Sequence, residues 1–212
     1  MIRRQTGFAI FAGILLCFLS LDQAHSQATA RHSDYSWEIS LGGGYFLPAR
    51  EGFREYYRGG PEVEIGGAYR VSRRMLLAID VSYNHLWKKS WMRFTTFSFV
   101  PSIKLLLPGT PAAYFGAGLG LHRGALFFED DTHIPSGTNP SRYINVSDKS
   151  YSKIGLGLEG YAGIRRFLSG KMFLELQASY SHTFLGDPDR GEHGNVGGVS
   201  GILKWGMVFG KY

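Results

Sequence analysis

Hydrophobic and polar residues alternate with a period of two along most of the chain after residue 36. Eight segments carry this pattern, and strict alternation is typical of β-strands that have one apolar and one polar face. No helical period of comparable length competes with it there. The predicted strands are Trp37–Leu47, Pro61–Val71, Met75–His85, Met92–Leu107, Ala112–Phe128, Tyr151–Arg166, Lys171–Phe184 and Gly197–Lys211.

The connections between the predicted strands alternate in length. Three are tight turns rich in Gly, Pro, Ser and Arg, and the other four are the longer segments Pro48–Gly60, Leu86–Trp91, Glu129–Ser150 and Leu185–Asn195. Tight turns at one end and long loops at the other predict an all-β fold, an eight-stranded antiparallel up-and-down barrel. Pro101 lies inside the fourth strand and has no N–H to donate, so we expect a local bulge there.

The two faces of the strands distinguish a soluble barrel from a transmembrane one. The apolar face is bulky in all eight segments, and these side chains would overfill a small barrel if they faced inward. The other face is rich in Gly and Ser, which suit a narrow interior. Aromatic residues gather at strand ends, as they do at membrane interfaces. These features favour a transmembrane barrel, and a soluble barrel of the lipocalin kind is the alternative. The aromatic residues are Trp37, Tyr45, Tyr69, Tyr83, Trp87, Trp91, Phe127, Tyr180, Phe184 and Tyr212.

Residues 1–26 have the features of a cleaved secretory signal peptide: two arginines, an apolar run over Gly7–Leu21, and the small residues Ala24 and Ser26. We therefore expect residues 27–212 to form one barrel domain. The only cysteine, Cys17, lies in the signal, so no disulfide or Cys-based metal site is expected after cleavage. A net charge of +6 does not by itself indicate a nucleic-acid partner.

The polar faces would turn nine charged residues into the barrel. An interior formed by eight strands is only wide enough to be filled by side chains, and unpaired charges there are costly. The five acids and four bases nearly balance, and they therefore predict an ion-pair network that closes the lumen. One layer of this network is expected near the tight turns. A narrow wet channel lined by loosely paired charges is the alternative. The residues are Glu38, Glu64, Asp80, Glu159 and Glu175, with Arg70, Lys104, Arg165 and Lys204.

Basic residues in and beside the first two long loops are candidate contacts for lipopolysaccharide phosphates: Arg50, Arg54, Arg58, Lys88 and Lys89. A hydrated loop surface is the alternative, since two glutamates are interleaved with them. Arg123 is a further candidate, because it falls on the apolar face near one end of the fifth strand. Either its side chain reaches the headgroups or a bulge turns it inward.

We find no motif for catalysis, for a cofactor or for a metal ion. Ser181 and His182 are adjacent in a strand and therefore point to opposite faces. Glu129, Asp130 and Asp131 lack the spacing of a calcium loop. We therefore expect no enzymatic activity, and a lipid-modifying enzyme is the last alternative.

The segment Tyr114–Leu121, the strand count, the alternating loops and the terminal aromatic Tyr212 resemble a known family. This is the family of small eight-stranded outer-membrane barrels of Gram-negative bacteria, of the OmpA transmembrane-domain and OmpX type. The resemblance covers roughly Ser36 to Tyr212 and implies insertion by the barrel-assembly machinery, which reads the last strand. Trp205, Met207 and Phe209 lie out of register with Tyr212, which departs from the family's terminal signal.

Together these features predict a monomeric integral protein of the bacterial outer membrane with both termini in the periplasm. Its expected role is structural or in surface interaction, through long external loops and through contacts with outer-membrane lipid and lipopolysaccharide. A narrow porin for small solutes is the main alternative.

Overall fold

The chain folds into ten β-strands in the computed structural model, which describes residues 36–49, 54, 57–87, 92–128, 133–136, 139–145, 150–184 and 197–210. The predicted signal segment lies outside these residues. Strand bounds agree with the sequence prediction to within two residues for the barrel strands. The strands are Trp37–Pro48 (β1), Gly60–Arg70 (β2), Met75–Leu86 (β3), Met92–Leu106 (β4), Ala112–Phe128 (β5), His133–Ser136 (β6), Asn139–Asn145 (β7), Ser150–Phe167 (β8), Met172–Thr183 (β9) and Gly198–Phe209 (β10).

Eight of the strands close into a barrel in the order β1-β2-β3-β4-β5-β8-β9-β10, and every neighbouring pair is antiparallel. β1 and β10 complete the ring, with Trp37 opposite Phe209 and Pro48 opposite Gly198. The predicted up-and-down barrel is therefore confirmed. Within the described ranges, no helix is long and apolar enough to cross a membrane.

β6 and β7 form a separate two-stranded sheet inside the segment that the sequence predicts to be a loop. Their register is irregular between Pro135 and Ser136. The long connection predicted over Glu129–Ser150 therefore contains two short strands that the sequence analysis did not predict. The reason is that these strands are short, contain prolines and lack the clear alternation that marks the barrel strands.

The strand around Pro101 continues without a bulge, contrary to expectation. Phe99 lies opposite Leu121 and Ser102 lies opposite Gly118, so the register between β4 and β5 is the same on both sides of the proline. A missing N–H removes one ladder bond but adds no residue to the strand, so the pairing resumes in phase.

The barrel has an apolar outside and a largely polar inside. Outward side chains such as Leu41, Ile65 and Ile154 are more than half exposed, at 54%, 56% and 64%. The end with the tight turns, where β1 begins and β10 ends, is called the turn end here, and the opposite end the loop end. Inside the turn end lies an apolar cluster, the turn-end plug, which consists of Ala68, Leu76, Ala78, Phe173 and Val208 with Leu106 and Phe167 packed against it.

Aromatic side chains mark both ends of the barrel. On the outer face, Trp37 and Tyr69 lie 4.7 Å apart at the turn end, and Tyr45 and Trp87 lie 6.0 Å apart at the loop end. Trp91 and Tyr212, which the sequence also places in these belts, lie outside the described residues. Inside the loop end, the ring of Tyr57 packs 5.6 Å from that of Phe94, and both side chains are buried.

Candidate functional site

Seven of the interior charged residues form two clusters stacked along the barrel axis. The turn-side cluster consists of Glu38, Lys104, Arg165 and Glu175 and lies next to the turn-end plug. The middle cluster consists of Glu64, Asp80 and Lys204. Both arise because residues of one parity along each strand face the lumen.

Arg165 is the centre of the turn-side cluster and is only 1% exposed. Its Nη1 and Nη2 atoms donate to Glu38 Oε2 and Oε1 at 2.7 and 2.8 Å. Its Nε donates to Glu175 Oε1 at 2.6 Å, and Nη2 also forms an ion pair with that carboxylate. The guanidinium group stacks 4.2 Å above the ring of Phe173, so the cluster and the turn-end plug are in direct contact.

Lys104 completes the cluster from the other side of Glu175. Its Nζ lies 3.3 Å from both carboxylate oxygens of Glu175, 3.9 Å from Glu38 Oε1 and 4.6 Å from the ring centroid of Tyr114. The Tyr114 hydroxyl lies within donating distance of Glu175 Oε2 (3.3 Å) and of Gln177 Oε1 (3.1 Å). Two acids and two bases balance formally, and buried charges are tolerated only when paired and hydrogen-bonded in this way.

The middle cluster is acidic, because one base serves two acids. The Lys204 ammonium forms an ion pair with Glu64 and lies 3.7 Å from Asp80 Oδ1. Beside it, the Tyr161 hydroxyl lies 2.8 Å from Ser102 Oγ. The Tyr161 ring covers Gly116 so closely that a Cβ there would lie 2.4 Å from the ring. Glycine at this position is what makes room for the ring.

Toward the loop end the interior becomes polar and uncharged apart from Glu62, which is buried. Ser98 Oγ lies 2.8 Å from His122 Nδ1, and Asn84 Nδ2 donates to Thr96 Oγ1 at 3.1 Å. A cavity with room for about one water molecule separates these groups. It is lined by Phe46, Asn84, Thr96, Ser98, His122, Ser181 and Thr183.

Ser98 and His122 form a nucleophile–base pair that the sequence analysis missed. Parity alone places both side chains on the inner face, and only the register between β4 and β5 shows that Ser98 lies opposite His122. However, both side chains are nearly fully buried, and His122 Nε2 has no hydrogen-bond partner within the described part of the chain. A catalytic triad needs a third group that orients the base. In the described part of the chain, the pair therefore has no orienting acid, and both side chains are largely shielded from solvent.

Within the same part of the chain, no group of three His, Cys, Asp or Glu side chains is arranged to hold a metal ion.

All nine charged residues that the sequence directs to the lumen lie on the inner face of the barrel. Seven are buried, while Asp80 and Glu159 are half-buried. Arg70, which the sequence groups with the turn-side layer, donates from Nη1 to the backbone oxygen of Arg73 at 3.0 Å. Glu62, His122 and Gln177 are buried on the inner face, as the alternation of their strands predicts. The sequence analysis missed Tyr114 and Tyr161, although the same parity rule turns them inward.

The candidate surface contacts are only partly described. Arg54 and Arg58 are exposed, while Arg50, Lys88 and Lys89 lie outside the described residues. Arg123 is exposed on the outer face and donates from Nη2 to Ser152 Oγ at 3.4 Å. Its register with Phe97 and Ile154 is unshifted, so no bulge turns it inward.

No family model matches the chain, and no curated protein matches it in sequence. Among solved structures, it is similar to Neisserial surface protein A, with a TM-score of 0.56 and 16% identity over 81% of this chain and 95% of that one. It is also similar to the N-terminal β-barrel domain of Pseudomonas aeruginosa OprF (TM-score 0.48, 13% identity, 83% and 99% covered). A third similar structure is the attachment invasion locus protein Ail of Yersinia pestis (TM-score 0.47, 9% identity, 84% of this chain and 98% of that one covered).

At these identities the similarity concerns the fold. The chain has the fold of the small eight-stranded outer-membrane barrels, and the resemblance predicted from the sequence is confirmed at that level.

Proposed function

We propose that this protein is an integral outer-membrane barrel of a Gram-negative envelope, with a closed lumen and a structural or surface-interaction role. The observation that carries the proposal is the stacking of the turn-side cluster on the turn-end plug. Arg165 and Glu175 are 1% and 0% exposed, and Phe173 directly beneath them is also 0% exposed. Two successive layers of buried side chains fill the inner cross-section of the barrel. A barrel closed in this way is suited to anchoring rather than to transport.

The polarity of the barrel supports its place in a membrane. The outer face carries the bulky apolar residues and the inner face the charges, which is the reverse of a soluble barrel. The aromatic pairs at both ends fit the two interfaces of a bilayer.

The proposed orientation follows from the strand count. An even number of strands brings both termini to the turn end, and short turns face the periplasm in barrels of this kind. The loop end would then face outward, where Arg54, Arg58 and Arg123 are exposed and suited to lipopolysaccharide phosphates. Insertion by the barrel-assembly machinery and a monomeric state complete the proposal.

Two measurements test it. Cell fractionation should recover the protein in the outer membrane, released only by detergent, and recovery in the soluble periplasm would contradict the membrane location. Refolded protein in planar bilayers should give no steady conductance. A steady current would contradict the closed lumen and favour a narrow porin, for which the polar loop-side cavity would be the entrance.

A further inference from the structure

Two of the tight turns are built to the same plan. The turn between β2 and β3 reads Val71-Ser-Arg-Arg-Met75, and the turn between β8 and β9 reads Leu168-Ser-Gly-Lys-Met172. Each runs from an apolar residue through a serine to a basic residue and a methionine. The basic residue therefore occupies the same position in both turns.

The hydrogen bonds of the two turns match as well. Val71 N donates to Met75 O at 3.0 Å, and Leu168 N donates to Met172 O at 2.9 Å. In each turn the serine Oγ accepts from the backbone N–H of the basic residue, at 3.3 Å for Arg74 and 3.4 Å for Lys171. These bonds hold both turns in the same compact shape.

Each turn is also tied to the next strand along the barrel wall. The backbone oxygen of Arg74 accepts from Leu106 N, and that of Lys171 accepts from Val208 N, each at 2.8 Å. These bonds hold the two basic residues at the same level of the turn end. Their side chains are exposed.

The exposed charge in the described part of this end has one sign. Within 36–39, 69–77, 104–114, 164–175 and 207–210, the charged side chains that are not buried are Arg73, Arg74, Arg166 and Lys171, all basic. The acids in these ranges, Glu38 and Glu175, are buried in the lumen. Exposed apolar residues begin both turns, and the Trp37–Tyr69 aromatic pair lies on the outer face at the same end.

The two basic turns lie on opposite sides of the barrel. Going round the ring, β4, β5 and their turn separate them on one side, and β10 and β1 separate them on the other. A small acidic partner docked at one side would meet only one turn. A leaflet that surrounds the barrel meets both, and the apolar residue beside each base suits the boundary between acyl chains and headgroups.

We propose that the two turns bind the phosphate groups of anionic phospholipids in the leaflet at the turn end. This proposal rests on the proposed membrane location. Basic side chains attract anionic lipid headgroups electrostatically, and this attraction decays within a Debye length. We therefore expect anionic phospholipids to be enriched next to the two turns.

Trp37 provides a local reporter because it lies at the turn end beside β2. The other tryptophans, 87, 91 and 205, are replaced by Phe, and the protein is refolded into vesicles of phosphatidylcholine and phosphatidylglycerol. Bromine is placed on the acyl chains of one lipid or the other at equal mole fraction, and quenching of Trp37 is compared. We expect phosphatidylglycerol to be favoured about three- to fivefold over phosphatidylcholine, with the preference lost at high salt.

The triple variant Arg73→Gln, Arg74→Gln, Lys171→Gln should bring the preference close to one. The matched control Arg74→Lys, Lys171→Arg keeps the charge and should keep the preference. Two results would overturn the lipid assignment. One is equal quenching of Trp37 by the two lipids in the parent protein at low salt, which would point instead to an acidic protein segment as partner. The other is a lipid preference that is unchanged in the triple variant. Absence of quenching by either lipid would mean that the barrel is not in the bilayer, which separates failure of the proposed location from failure of the lipid site.

Discussion

Arg165 and Glu38 form a two-pronged ion pair across the lumen although 127 positions separate them in the chain. They belong to β8 and β1, which are separated in the wall of the barrel by β9 and β10. The pair therefore spans the interior rather than running along the wall, and it connects strands that share no backbone hydrogen bond.

Replacing Arg165 by Met should lower the free energy of unfolding by about 3–5 kcal/mol, because two buried carboxylates lose the guanidinium group and keep only Lys104 as a basic partner. Urea unfolding in detergent or vesicles, followed by tryptophan fluorescence, measures the change. Arg58→Gln, which removes an exposed charge, should stay within about 0.5 kcal/mol of the parent protein. A loss for Arg165→Met as small as that of the control would mean that water solvates the cluster.

The middle cluster predicts that substitutions of Lys204 and Glu64 have non-additive effects on the free energy of unfolding. Lys204→Met alone leaves Glu64 and Asp80 without their base, whereas Glu64→Gln removes one of the two stranded charges. The double variant should therefore be more stable than the sum of the single losses predicts, by about 1–3 kcal/mol. A double-mutant cycle in urea measures this coupling. Additive losses would show that the two side chains act independently.

Gly116 and Gly160 provide a matched pair on neighbouring strands. Gly116→Ala should cost about 1–3 kcal/mol, because the new methyl group displaces the Tyr161 ring from its contact with Ser102. A Cβ at Gly160 meets nothing within 4 Å, so Gly160→Ala should change stability by no more than about 0.5 kcal/mol. Equal losses in the two variants would contradict the close fit of Tyr161 against β5.

The two layers that fill the turn end predict how the barrel is opened. Arg165→Ala alone leaves the plug in place, and Phe173→Ala alone leaves the charged layer in place, so neither should conduct steadily. The double variant removes one side chain from each layer and should give resolved openings in planar bilayers. Phe97→Ala, on the outer face, is the control and should remain silent. A silent double variant would mean that other side chains close the lumen.

The period-two alternation was sufficient to predict the barrel because each strand buries one parity of residues. It also placed Glu38 and Arg165 on the inner face and toward the same end. It did not predict which acid binds which base, because Arg165 reaches both Glu38 and Glu175 and the choice depends on strand tilt. The Ser98–His122 contact was missed for the same reason: it depends on the register between strands, which local sequence does not determine.

The β6–β7 sheet shows a different limit. Its strands have only 4 and 7 residues and pair with each other in a sheet separate from the barrel, so no long alternating run marks them in the sequence. The bulge expected at Pro101 was wrong because the sequence shows the missing donor but not the strength of the pairing on either side of it.

The pairing of β1 with β10 has a consequence for how the chain reaches its native state. Twelve residue pairs join the first barrel strand to the last, so closure waits until the whole chain is available. Until then the sheet has two open edges and an uncovered apolar face, a combination prone to aggregation. Contacts between such distant segments also form slowly, because bringing the two ends together costs conformational entropy before the contacts stabilise the fold. The chain is therefore most prone to associate with other copies before β1 and β10 pair.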